Sequence, residues 1–185
     1  MIVTLAGRRI DAPDAQVARF PLEKSSAVYK QIQQFLTEKH ATVLVSSAAC
    51  GADLLALDAA GRLGIRRRII LSSEPERFRA YSVADRPGDW GALYDRIIAE
   101  VEAAGDLVLL QEQQSAEATY LLINQVILDE AQKLTEEGAE ARNGENALLA
   151  VLVWEGQARK TDDVTAAFGR EARARAIPTT EILIS

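Results

Sequence analysis

Six short runs rich in aliphatic and β-branched residues alternate along this chain with longer stretches whose apolar residues recur at helical spacing. This alternation constrains the fold more than any other feature. A strand, a helix long enough to cross back and then another strand favour parallel pairing through right-handed crossovers. The candidate strands are residues 2–6, 42–45, 68–71, 107–110, 148–153 and 180–184. Several are apolar nearly throughout, the pattern of strands covered on both faces. The expected class is therefore α/β, with a mostly parallel central sheet and helices on both faces.

Between the strands, Val28, Ile32, Phe35 and Leu36 mark a first helix, with Ser25 or Ser26 as its expected cap. Further helices are expected at 52–63, ended by Gly64, and at 76–81, 89–103, 116–136 and 164–176. The polar stretch 136–146, with Gly138 and Gly144, reads as a loop. Without a repeat or a low-complexity linker, residues 1–185 are expected to form a single domain.

Composition narrows the chemistry. Cys50 is the lone cysteine, so no internal disulfide forms, which suits a reducing compartment. His40 is the lone histidine, at an apparent helix C-terminus where it favours the dipole. With so few soft ligands, no metal site is expected. No apolar run reaches the roughly 18–20 residues that span a bilayer, and residues 1–6 read as a strand rather than a signal peptide. No membrane partner and a cytoplasmic location are the expectations. The net charge of −6 argues against nucleic acid as a partner, although a local basic pocket remains compatible with it. The one dense basic run, Arg66-Arg67-Arg68, precedes a strand and reads as a solvated turn.

In an open α/β sheet, ligands bind beyond the carboxyl ends of the strands, near a reversal of strand order. Three turns therefore stand out. After the first strand come Gly7-Arg8-Arg9: a glycine that permits close backbone approach, and two arginine forks suited to phosphate. After the second come Ser46-Ser47-Ala48-Ala49-Cys50-Gly51-Ala52-Asp53, whose small residues let amides at a helix start face an anion. Asp53 either stabilises the first helical turn or accepts ribose hydroxyls. Cys50 is either a small loop residue or a thiol activated by the helix start. After the fifth strand come Trp154, Gly156, Lys160, Thr161, Asp162 and Asp163. Here Trp154 packs or stacks on a base, Lys160 offers a cation and Thr161 a hydroxyl. Asp162 or Asp163 caps the next helix or acts as a catalytic carboxylate. The segment 82–90 reads as a lid or as a helix-to-helix turn with Asp89 as cap.

Taken in order, Gly7-Arg8, Gly51-Ala52-Asp53 and Trp154-Glu155-Gly156 with Thr161 resemble the SLOG superfamily, which includes the LOG phosphoribohydrolases and DprA. Phe78-Arg79, Ser82-Val83-Ala84-Asp85 and Gly88-Asp89-Trp90 resemble a bacterial branch that accompanies signalling domains, and Tyr120 and Asn124 fit it. The resemblance implies a three-layer, Rossmann-like fold that binds nucleotides or nucleotide-derived ligands. It implies that Gly7, Arg8, Ser46, Ser47, Gly51, Asp53, Gly156 and Thr161 surround the ligand. LOG enzymes carry Gly-Thr and a catalytic glutamate where this chain has Lys160-Thr161 and, nearest the glutamate, Asp163.

The leading functional expectation is a sensor of a nucleotide or an ADP-ribose-like signal, with no cofactor. The alternatives are a nucleotide N-glycosidic hydrolase using Asp163 or Asp162, and an oligomeric scaffold with a vestigial pocket. LOG-like relatives form dimers, so a homodimer is expected. The apolar helix 116–131 either contributes to that surface or packs in the core.

Overall fold

Strand β1 (Ile2–Gly7) sits between two neighbours and under helices on both sides, which explains its apolar sequence. The computed structural model describes residues 1–110, 116–142, 147–159 and 163–185. In chain order, β1 is followed by α1 (Ser25–Glu38), β2 (Val43–Ser46), α2 (Ala52–Arg62), β3 (Arg66–Leu71), α3 (Pro75–Ser82) and α4 (Gly91–Ala103). Then come β4 (Leu107–Leu109), α5 (Ala116–Arg142), β5 (Leu148–Trp154), α6 (Val164–Ala174) and β6 (Thr179–Leu183).

The six strands form one sheet in the order β4-β3-β2-β1-β5-β6, and every pairing is parallel. Successive side chains on each strand enter opposite cores. Val3, Leu5, Leu44, Ile69, Leu71, Val151 and Val153 pack among α1, α2, α3 and α4. Ile2, Val45, Ile70, Ala150, Leu152 and Trp154 pack against α5 and α6. The result is the three-layer, Rossmann-like α/β architecture expected from the alternation of runs.

The first four strands step outward from β1. The chain then returns across the sheet to place β5 on the other side of β1. Helix α5 makes that return. At 27 residues it is about 40 Å long, enough to cover the roughly 19 Å between β4 and β5, and it touches β1, β2, β3 and β5 on the way. Its inner positions Ile123, Ile127, Leu128 and Ala131 are core, whereas Tyr120 and Leu121 are exposed. The strand order reverses between β1 and β5, and the crevice that this opens lies at their carboxyl ends.

Four local expectations are corrected. Neither Ser25 nor Ser26 caps α1. A 3-10 turn at Leu22–Lys24 runs into the helix, Lys24 takes the cap position, and Ser25 Oγ donates to Leu22 O at 2.7 Å. Asp89 does not cap α4, whose cap position belongs to Trp90 without a side-chain bond. Helix α5 continues to Arg142, through most of the stretch read as a loop, because Gly138 lowers helical propensity without terminating it. The Arg66-Arg67-Arg68 run is not a solvated turn but the first half of β3. Arg66 binds Asp106 at 2.8 and 2.7 Å, Arg67 binds Glu100 at 2.8 Å, and Arg68 binds Glu130 at 3.0 and 2.7 Å. No helix among the described residues is long and apolar enough to cross a membrane.

Candidate functional site

Two glycines set the corner where the turns after β1 and β2 meet. A Cβ on Gly7 would overlap the Cβ of Ala52, so only glycine lets α2 sit against the end of β1. Gly51 has φ +98°, and a Cβ there would lie 2.6 Å from Arg8 O and 2.9 Å from Ile10 N. With the turns pressed together, Ala52 N–H donates to Arg8 O at 3.0 Å and Cys50 N–H to Ser82 O at 2.9 Å. Ala49 N–H donates to Asp53 Oδ2 at 3.3 Å. These three amides are therefore occupied within the protein, not turned toward an anion as the small-residue loop suggested. Cys50 is buried, and burial pushes its thiol up despite Arg9, so it is no activated thiolate.

Beyond this corner lies a cavity of about 590 Å³. It falls in the size range of small-molecule sites. The strand ends and following turns contribute Gly7, Arg8, Arg9, Ser47, Ala49, Asp53 and Ser72. Asp11, Ala12, Ala15, Gln16, Val17 and Arg19 come from the long connection between β1 and α1. Phe78, Ser82 and Arg86 lie at the α3 side, Tyr120, Ile123, Asn124 and Ile127 on α5, and Arg159, Val164 and Thr165 before and within α6.

Arg8 is the best-anchored side chain in this wall. It is 3% exposed and binds two carboxylates at once. Its Nε and Nη2 donate to Glu155 at 2.6 and 3.0 Å, and its Nη1 and Nη2 to Asp163 at 2.7 and 2.9 Å. Nη2 also reaches Gln157 O at 2.9 Å. Burial opposes its charge, but these bonds outweigh burial and raise its pKa. The guanidinium lies 5.5 Å from the centre of the Trp154 ring, so the tryptophan face is taken by Arg8 rather than left for a base.

Asp163 caps α6, accepting from Ala166 N at 2.9 Å, and also accepts from Arg159 N at 2.6 Å. Burial works against its charge, but the bonds from Arg8, Ala166 and Arg159 prevail and hold the carboxyl at about 2. A carboxylate so low and so fully bonded is a cap and a clamp; it is poorly suited to taking a proton near neutral pH.

The remaining arginines are less committed. Arg19 pairs with Glu155. Arg9 and Arg86 share one carboxylate, Asp85: Arg9 pairs through Nη2, its Nε buried without a hydrogen-bond partner, and Arg86 pairs through Nε at 3.6 Å. Arg159 has no side-chain hydrogen bond or ion pair among the described residues. The residue is exposed, yet partial desolvation and the nearby cations Arg8 and Arg19 lower its pKa, against the opposing pull of Asp163 and Glu155. Five arginines thus line the cavity against two carboxylates, Asp11 and Asp53. Asp85, Glu155 and Asp163 neutralise part of that excess from behind. The donor capacity left over belongs to Arg159, Arg86 and Arg9.

Asp53 stands apart. It is 8% exposed, and its Oδ1 accepts no hydrogen bond. Burial pushes its carboxyl up to about 7, with the Ala49 and Gly7 amides and Arg9 offsetting only part of that. It is the carboxyl lining the cavity that sits near neutrality.

Of the residues expected at the site, Gly7, Arg8, Arg9, Ser47, Asp53 and Asn124 line the cavity. Asn124 Nδ2 donates to Val164 O at 3.0 Å, tying α5 to α6 beside it. Ser46 is buried, its Oγ donating to Ser47 O at 2.8 Å, and Ala48 is core. Gly51 lies in the corner behind the wall, and Gly156 is an exposed turn glycine. Lys160, Thr161 and Asp162 lie outside the described residues. Sequence reasoning passed over Asp11, Arg19, Arg86 and Arg159 as site residues. The available signal was the length of the β1–α1 connection, since unstructured connections this long are uncommon and often functional. Among the described residues, no group of three His, Cys, Asp or Glu side chains converges to hold a metal ion. Comparison with family models, curated proteins and solved structures finds no match to this chain.

Proposed function

We propose that this chain is a binding module of SLOG type, taking a nucleotide or a nucleotide-derived phosphate such as an ADP-ribose-like signal. The observation that carries this reading is the excess of arginines over carboxylates, five against two, lining a cavity at the point where strand order reverses. Such a pocket attracts an anion even in a chain of charge −6, because nearby fixed donors outweigh a distant net charge. Apolar lining from Ile123 and Ile127 on one side of the sheet and Phe78 on the other suits a base or another flat group. The order of the Gly7-Arg8, Gly51-Ala52-Asp53 and Trp154-Glu155-Gly156 motifs supports the same ligand class.

A binding role is preferred to N-glycosidic hydrolysis because Asp163 is fully engaged by Arg8, Ala166 and Arg159. Isothermal titration against a panel of nucleoside mono- and diphosphates and ADP-ribose tests the proposal. Saturable heat with at least one is expected, with no free base released on prolonged incubation. Folded protein that binds none of them contradicts the proposal.

A further inference from the structure

Arg8 and Arg9 are adjacent in the turn after β1, yet their guanidinium groups diverge. Arg8 runs toward α6, onto Trp154, Glu155 and the Asp163 cap. Arg9 runs toward the α2 corner and the stretch after α3, its Nη2 pairing with Asp85 and donating to Cys50 Sγ at 3.8 Å. Each gathers further arginines. Arg19 joins Arg8 at Glu155, and Arg159 lies close enough to both for their charges to act on it. Arg86 joins Arg9 at Asp85. Among the described residues, no ion pair links the two groups, yet all five arginines line the one cavity. Arg9, Arg19 and Arg86 keep part of their side chains in solvent, and Arg159 is exposed, so a ligand can reach both groups.

Each group has one cation more than its paired carboxylates. Arg8, Arg19 and Arg159 face Glu155 and Asp163, while Arg9 and Arg86 face Asp85. Of the other two carboxyls in the wall, Asp11 is satisfied by the Arg19 and Phe20 amides, and Asp53, held up at about 7 by burial, offsets Arg9 only in part. A single phosphate answers one group and leaves the other's cation unmatched. We propose that the cavity takes a nucleotide with two separate anionic groups, one phosphate held by Arg159 and Arg19 on the α6 side and the other by Arg86 and Arg9 on the α3 side. The proposal rests on the nucleotide reading and narrows its ligand: phosphates on two positions of one sugar, not a chain of phosphates at one end. Arginine forks suit phosphate oxygens at both places.

Titration calorimetry with AMP, ADP and adenosine 3′,5′-bisphosphate tests this on the wild-type chain and on Arg86→Ala and Arg159→Ala. ADP adds its second phosphate at the same end as the first and controls for charge alone. The wild type is expected to bind the bisphosphate at least about tenfold more tightly than AMP or ADP. Each variant is expected to lose most of that advantage while keeping a urea midpoint close to that of the wild type. ADP bound as tightly as the bisphosphate, or an advantage that survives in either variant, overturns the two-anion ligand and leaves the nucleotide reading standing. Binding of none of the three probes overturns both.

Discussion

Replacing Asp53 with Asn removes a carboxyl that the fold buries at a cost. Burial is the main cause that raises it from 3.8 to about 7, against the Ala49 and Gly7 amides and the Arg9 cation. Below its ordinary value, the side chain is neutral in both folded and unfolded chains and contributes little difference. As pH rises past that value, the unfolded chain releases the proton while the folded chain still holds it, so stability falls. Once pH exceeds about 7, the folded chain ionises too and the loss levels off. The distance from 3.8 to about 7, at ~1.4 kcal/mol per pH unit, sets a ceiling of about 4 kcal/mol. Water entry and local relaxation bring the expected loss nearer ~2 kcal/mol. Asn keeps the shape and carries no titrating proton. Urea unfolding of both proteins from about pH 4 to about pH 8 reads the effect directly. The two curves are expected to nearly coincide at the acid end, with Asp53→Asn the more stable at the alkaline end. A stability difference that stays flat across this range refutes the reasoning.

Three other substitutions test separate parts of the site. Arg8→Met leaves the buried Asp163 carboxylate without its cation, while Glu155 keeps Arg19, and is expected to destabilise the fold by about 3–5 kcal/mol in chemical denaturation. Asp163→Ala is expected to flatten the acid limb of stability. The contribution of a carboxylate held at about 2 is complete above 3.8 and is lost as pH falls toward the lower value. Arg159→Glu, at an exposed side chain without a bonded partner, is expected to weaken AMP binding by about tenfold or more in calorimetry. Its urea midpoint should stay close to that of the wild type.

The sheet was legible because its information is local. Residues 148–153 read as a buried strand from composition alone, and both faces of β5 are indeed covered. The Gly64 stop after α2 was legible for the same reason, its φ of +70° being one that glycine adopts freely. The Arg66-Arg67-Arg68 run was not, because its partners Asp106, Glu100 and Glu130 lie some 33 to 62 residues away. The site divides along the same line. Gly7 ends β1, Ser47 follows β2 and Asp53 lies in the first turn of α2, so the rule that ligands sit at strand ends found them. Asp11 and Arg19, in a connection without periodicity, and Arg86, after α3, reach the cavity only through tertiary packing. Arg8 looked like a free phosphate donor because its sequence neighbours say nothing of Glu155 and Asp163, 147 and 155 residues downstream.

A crystal structure of the chain with AMP tests most directly whether this cavity is built for a nucleotide. The nucleotide is expected inside the cavity, with its phosphate within hydrogen-bond distance of Arg159, Arg86 or Arg9. AMP bound elsewhere on the surface, or a cavity left empty at saturating AMP, contradicts it.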